Sequence, residues 1–235
     1  GALGVLTILQ FLWARRVRDG SPAIWLAARA NVSFLIVESL LGAVLVKFGL
    51  VEYDASPART VVVALHLTNT MALLGAQTLT WWWSRGGSVP DSSRVRWSRA
   101  IAPLVAILFV AIAGAVVALG DTLFPATSLL EGLRADLSPT AHFLVKLRAV
   151  HPAIAVLFAL TIASRARLDA DDHPTLAPIA RVLVAALLAQ IAIGVVTMLS
   201  LAPTGLQLVH LAVADVTWIA LVVFVVERAA LKNQR

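Results

Sequence analysis

Apolar residues dominate the chain in long runs, and short polar segments separate these runs. Six runs contain few charges and occupy residues 24–48, 60–83, 99–120, 142–164, 176–199 and 204–227. A helix needs about 20 apolar residues to cross the ~30 Å hydrocarbon core of a bilayer. The pattern therefore predicts six membrane-spanning helices.

A seventh apolar run opens the chain at residues 1–14, "GALGVLTILQFLWA", and ends at Arg15. At 1.5 Å per residue such a helix covers only about 21 Å, which is too short to span a bilayer. The run also begins with glycine rather than methionine. We therefore expect a partial first helix, with the true N-terminus and one further helix upstream. The predicted protein has eight membrane helices, of which about seven are visible.

The composition excludes an ordinary soluble domain. The chain is 60% hydrophobic and 14% charged, whereas soluble domains are about 45–50% apolar and about 25% charged. It contains no cysteine, so neither a disulfide nor a thiolate metal site is available. The net charge of +6 comes from cations placed between apolar runs, so we expect contact with membrane lipid and none with nucleic acid.

Charge alternates from loop to loop along the chain. The basic loops and the C-terminal segment contain Arg15, Arg16, Arg18, Arg85, Arg94, Arg96, Arg99, Arg165, Arg167, Arg181, Arg228, Lys232 and Arg235. The loops between them, 49–59, 121–141 and 200–204, carry few cations and contain Glu52, Asp54, Asp121, Glu131 and Asp136. Because cytoplasmic loops are enriched in Lys and Arg, the basic loops and the C-terminus are predicted to be cytoplasmic.

Two segments resemble each other, "ESLLGAVLVKFGL" at 38–50 and "QIAIGVVTMLSLA" at 190–202. Each has a polar residue four positions before a glycine, and the next helix carries a histidine near its start: Glu38, Gly42 and His66, then Gln190, Gly194 and His210. Small residues at such positions allow close helix approach. The repeat predicts two pseudo-symmetric four-helix bundles. The bounds are 1–83 for an incomplete N-terminal half, 84–98 for a cytoplasmic linker and 99–235 for the C-terminal bundle.

Three histidines, His66, His151 and His210, lie inside apolar runs at a similar predicted depth. An ionisable residue inside a membrane is by default a functional candidate. A single one is better explained as a neutral imidazole hydrogen-bonded to a neighbouring helix, but three at one depth favour ligation. Without cysteine or carboxylate clusters, a bare metal site is disfavoured. Paired histidines on facing helices suit axial ligation of haem iron.

The other polar residues do not point to ligation. His173 lies in a polar cytoplasmic loop and is expected to be solvated, and His142 lies at the predicted outer boundary, where a surface role is expected. Interhelical hydrogen bonding is the expected role of Glu38, Gln77, Gln190 and Asp215. Among these Glu38 is of most interest, since a buried carboxyl can have unusual proton affinity.

At these residues the chain resembles haem A synthase, the cytochrome-oxidase assembly protein of bacteria and mitochondria. The resemblance covers nearly the whole chain in order. It is carried by "SLLGAVLVKFGL", "ALHLTNT", "AIAGAVVALGDTLFPA", "SPTAHFLVKLRAVHP", "QIAIGVVTML" and "LQLVHLAVAD".

The resemblance implies two haem sites. By motif, His151 and His210 correspond to the axial ligands of a C-terminal haem b, and His66 to one ligand of an N-terminal site for the substrate haem O. The partner histidine and the catalytic glutamate of the family are expected upstream of residue 1, so the catalytic residues stay unknown. Arg59 and Arg148, near the ligands, could pair bidentately with haem propionates.

The implied reaction oxidises the C8 methyl group of haem O to a formyl group and yields haem A, making the protein a haem-dependent membrane oxidoreductase. The implied setting is the bacterial cytoplasmic membrane. The implied partners are the haem O-producing enzyme, the cytochrome oxidase assembly machinery and an unidentified electron donor. Two alternatives stay open. One is a non-catalytic haem-binding subunit for electron transfer or structure. The other is a transporter, although no predicted span is clearly broken and the polar groups lie near the outer side.

Overall fold

The computed structural model describes residues 2–51, 54–93, 95 and 97–231. These residues form eight α-helices: α1 (Ala2–Arg16), α2 (Pro22–Lys47), α3 (Pro57–Ser84), α4 (Trp97–Leu123), α5 (Leu129–Asp136), α6 (Phe143–Asp172), α7 (Ala177–Leu199) and α8 (Thr204–Leu231). Glu52, Arg94, Arg96, Lys232 and Arg235, which entered the charge analysis, lie outside the described residues.

The six predicted spans are confirmed. Helices α2, α3, α4, α6, α7 and α8 are each long and apolar enough to cross a membrane, and α1, with 15 residues, is shorter. Helix α6 continues to Asp172, eight residues beyond its predicted end, because the polar segment "RARLDADD" keeps helical geometry after the apolar run stops. Polar residues need no bilayer to stay helical, so the span and the helix end at different places.

Helix α5 was not predicted. Its eight residues lie in the segment between α4 and α6. The Ser128 side chain accepts a hydrogen bond from the Glu131 backbone N–H at 3.2 Å, and the Glu131 carboxylate accepts one from the Thr127 N–H at 2.9 Å. This arrangement is close to a capping box. The sequence contains the pattern of that motif, a serine followed three residues later by a glutamate.

The C-terminal helices surround a common centre. Helix α6 packs on α4 and α7, and α8 packs on the same two helices, so that α6 and α8 lie diagonally opposite each other. In the N-terminal part α2 packs on both α1 and α3, and α3 also packs on α4 and α8. The division into two pseudo-symmetric bundles stays a prediction, although these contacts are compatible with it.

Helix packing is tightest at one end of the C-terminal group, the end at which α6 and α8 finish. In α8, ten of residues 217–229 are buried, whereas no residue of 204–216 is. Small residues such as Ala163, Ala166 and Ala180 are buried there, and they let helix backbones approach closely in a membrane, where apolar contact alone gives little driving force. The opposite end, which contains His151 and His210, is less buried.

Polar contacts also join helices. The Trp218 indole of α8 donates to the Met71 carbonyl of α3 at 2.8 Å. Asn31, fully buried, donates to Gln10 at 3.0 Å and to Thr80 at 3.1 Å. The Gln77 amide donates to a hydroxyl of α1 at 3.1 Å, which is the interhelical role expected of it. Such bonds average about 0.6 kcal/mol each in membranes.

Candidate functional site

Two imidazoles face the centre of the C-terminal group from opposite helices. His151 lies on α6 and His210 on α8, each within the first nine residues of its helix. Both helices pack on the same two neighbours, α4 and α7. The Nδ1 atom of each imidazole is buried without a hydrogen-bond partner, although an unpaired buried polar group is costly. The structure thus brings together two of the three predicted histidines.

Glycines on the other two helices make room for these rings. A Cβ atom at Gly114 of α4 would lie 2.9 Å from Cε1 of His151, and one at Gly194 of α7 would lie 3.1 Å from Cε1 of His210. Both distances are shorter than ordinary van der Waals contact. The four helices therefore contribute a histidine and a glycine alternately. Gly42, the repeat counterpart of Gly194, has no such neighbour within 4 Å.

Gln190 occupies one edge of the His210 ring. Its amide nitrogen lies 3.1 Å from Nε2 of His210, and its Oε1 is buried without a partner. This is the interhelical contact expected of Gln190. A ligand approaching Nε2 of His210 has to displace the amide, because the two would compete for the same lone pair or proton.

The third histidine, His66 on α3, lies beside Glu38 on α2. Nδ1 of His66 is 3.6 Å from Oε1 of Glu38. The Thr70 hydroxyl donates to the same Oε1 at 2.5 Å. The Asn69 amide donates to Oε2 at 2.7 Å and to the Phe34 carbonyl at 2.9 Å. Glu38 thus forms the interhelical contacts expected of it and also faces an imidazole from a different helix.

The Arg148 guanidinium forms ion pairs and hydrogen bonds within the protein. Its Nε lies 2.6 Å from Asp121 and its Nη1 lies 3.7 Å from Asp136. Its Nη2 donates to the carbonyls of Gly120 at 3.0 Å and Phe124 at 2.5 Å. Burial raises the pKa of the Asp136 carboxyl, and the Arg148 guanidinium opposes that rise. Arg148 therefore ties the segment containing α5 to α4 and α6, and a propionate contact would have to replace one of these bonds.

Arg59 lies in the first turn of α3. Its backbone N–H donates to the Ser56 hydroxyl at 3.2 Å, which caps the helix, and its side chain donates to the Asp54 carbonyl at 2.8 Å. The propionate role predicted for Arg59 stays a prediction.

His142 and His173 lie apart from the imidazole pair, at the two ends of α6. His142 caps the start of the helix, its Nδ1 accepting from the Leu144 N–H at 3.4 Å. Its ring lies between the rings of Phe124 and Phe143, with centroids at 5.0 and 4.6 Å. His173 follows the last residue of α6. Neither position belongs to the imidazole pair.

The C-terminal pair fits haem better than a bare ion. In the part of the chain that the structure describes, no group of three His, Asp or Glu side chains is arranged to hold a metal ion. Two imidazoles on diagonal helices, each with an unpartnered Nδ1 and a glycine beside its ring, are chemically suited to axial ligation of a planar porphyrin. In the N-terminal half the described residues supply one such imidazole, His66.

Comparison with known proteins places this arrangement in a family. The profile of a family described as cytochrome oxidase assembly protein matches residues 1–222. Two curated relatives, from two strains of Thermus thermophilus and both named protoheme IX farnesyltransferase, are 40% identical over 231 residues. The match covers 94% of this chain but only 37% of each relative, so the chain spans little more than a third of their length. No solved structure matches significantly. The chain belongs to the cytochrome oxidase assembly protein family, which is the haem A synthase family.

Proposed function

We propose that the full protein oxidises the C8 methyl group of haem O to a formyl group and so produces haem A. The observation that carries this proposal is the presence of two separate imidazole sites at one end of the helix assembly. A site for a resident haem and a site for a substrate haem would need this duplication. An electron-transfer subunit with a single haem would not.

His151 and His210 are the proposed axial ligands of a resident haem b. That cofactor, when bound, supplies one-electron transfer; the protein supplies binding, orientation and electrostatics. Gly114 and Gly194 let the two rings approach neighbouring backbones. Gln190 competes for one His210 nitrogen, so its amide must withdraw if that nitrogen binds iron.

His66 is the proposed ligand for the iron of the substrate haem O. Among the described residues, we assign neither the second iron ligand of this site nor the catalytic glutamate. The name of the Thermus relatives includes protohaem IX as a substrate, which supports a porphyrin as the molecule handled by this segment. The haem O-producing enzyme, the oxidase assembly machinery and an electron donor are proposed partners. A cytoplasmic C-terminus in a bacterial inner membrane is proposed from the arginine distribution.

The proposal is tested with the full-length protein in cells that make haem O but no haem A. Haem extracted from these cells and separated by chromatography should contain haem A only when the protein is present. If the purified protein contains haem but no haem A forms with substrate, reductant and oxygen supplied, the electron-transfer or structural alternative replaces the enzyme.

Gly114→Ala should weaken haem binding at the C-terminal site. The added methyl group would overlap the His151 ring at 2.9 Å, and overpacking of this kind costs about 1–3 kcal/mol, equivalent to a roughly 5- to 150-fold loss of affinity. Haem titration of the purified haem-free variant, followed by absorption, measures this loss.

Gly205→Ala is the matched control for that variant. Gly205 also lies on a C-terminal helix, but a Cβ atom there would meet nothing within 4 Å. It should bind haem like the wild type, although alanine favours helix over glycine by about 1 kcal/mol. Equal affinities in all three proteins would show that the Gly114 contact does not orient His151.

A further inference from the structure

We propose that Glu38 is a positioning residue for His66. It would accept the Nδ1–H of the imidazole and thereby leave Nε2 free to bind the iron of the substrate haem. This inference rests on the proposed function, because it assumes that His66 binds haem iron. It assigns a second role to a residue that the sequence analysis regarded as an interhelical contact.

The contacts of Glu38 support this role. Both carboxylate oxygens face donors, since the Asn69 amide donates to Oε2 and the Thr70 hydroxyl donates to Oε1. These bonds hold the carboxylate against α3, where it lies 3.6 Å from Nδ1 of His66. That nitrogen is buried and has no hydrogen-bond partner. A shift of a few tenths of an ångström would close this gap, and functional hydrogen bonds are often longer before a ligand is bound.

The repeat-related position in the C-terminal half is chemically different. Gln190 corresponds to Glu38, but it is a neutral amide and lies against Nε2 of His210 rather than Nδ1. A carboxylate on the outer nitrogen of a metal-bound histidine fixes its tautomer and raises its basicity. The carboxylate is therefore expected to strengthen iron binding by His66 and to favour the ferric state. The His210 site lacks this effect, so the two haems should differ in potential.

A purely structural role for Glu38 predicts a different result for the haem. If Glu38 only joined α2 to α3, its removal would lower stability and leave the iron unaffected. Thr80 provides a matched control because its hydroxyl also joins α3 to α2, by accepting a hydrogen bond from the Asn31 amide at 3.1 Å, and it lies ten residues beyond Thr70 along α3. Thr80→Val removes this bond with little change of shape and keeps every contact of Glu38.

The test uses the full-length holoprotein with its C-terminal haem as an internal control. Glu38→Gln should raise the midpoint potential of the N-terminal haem and weaken its ferric haem affinity about 10- to 100-fold. The potential of the C-terminal haem should not change. Thr80→Val should lower thermal stability and leave both potentials near their wild-type values. Spectroelectrochemistry measures the potentials, and addition of ferric iron protoporphyrin IX to haem-free protein measures the affinity.

Two results would overturn the proposal. One is an N-terminal haem whose potential and affinity are unchanged in Glu38→Gln. The other is an equal shift in Thr80→Val, which would assign the effect to packing between α2 and α3. If the proposed function fails because His66 does not bind haem iron, the result is different: haem at the N-terminal site would then survive in His66→Ala.

Discussion

Replacing His151 by alanine should abolish the low-spin, six-coordinate absorption of the C-terminal haem, and His210→Ala should do the same. The two imidazoles lie on diagonal helices, α6 and α8. A six-coordinate iron between them needs both nitrogens, so losing either one should remove the whole low-spin component rather than a fraction of it. Absorption spectra of the purified oxidised and reduced proteins measure this.

His142→Ala is the control for these two variants. His142 lies at the same end of the protein but caps α6 and contacts two phenylalanine rings. Losing a cap typically costs about 1 kcal/mol of stability, so this variant should melt earlier and keep the low-spin spectrum. A low-spin signal retained in both His151→Ala and His210→Ala would show that the iron ligands lie elsewhere.

His66→Ala should abolish haem A formation and keep the low-spin signal assigned to His151 and His210. His66 lies on α3 beside Glu38 of α2, whereas the other two imidazoles lie on α6 and α8. Because the sites are built from separate helices, the loss of one ligand should leave the other site intact. Chromatography of extracted haem from cells making haem O, combined with spectra of the purified variant, separates the two effects.

Gln77→Leu is the control on the same helix. Its amide joins α3 to α1, and the loss of one such bond should cost about 0.6 kcal/mol. This variant should therefore still produce haem A. Unchanged haem A formation in His66→Ala would remove this histidine from the active site.

The membrane spans were predictable because a bilayer imposes a strong and local rule. Each segment must be apolar over about 20 residues and must satisfy its own backbone hydrogen bonds, so hydropathy identifies it. Helix ends outside the bilayer are not subject to this rule, and α6 accordingly continues eight residues past its predicted end. Helix α5 is eight residues long and was missed because it is too short to show a periodic apolar pattern, although Ser128 and Glu131 carried its capping signal.

The candidate ligands were selected by their depth, by the internal repeat and by the family resemblance. An imidazole inside an apolar run is easily recognised in a sequence, and three at one depth predicted ligation. Depth does not report which nitrogen is free or what lies beside it. Arg148 illustrates this limit. Its position near His151 predicted a propionate contact, which stays a prediction. The structure adds two partners, Asp121 at the end of α4 and Asp136 of α5, and the position of α5 was not predicted from the sequence.

By itself, the sequence determined an all-helical membrane protein with three imidazoles near one end, because hydropathy and periodicity act along a single helix. Only the tertiary structure decided that His66 faces Glu38 and that Gln190 lies on Nε2 of His210. It also decided that Gly114 of one helix makes room for the ring of His151 on another. These pairs join different helices, and helix pairing in a membrane depends on close contacts between segments that no local pattern encodes.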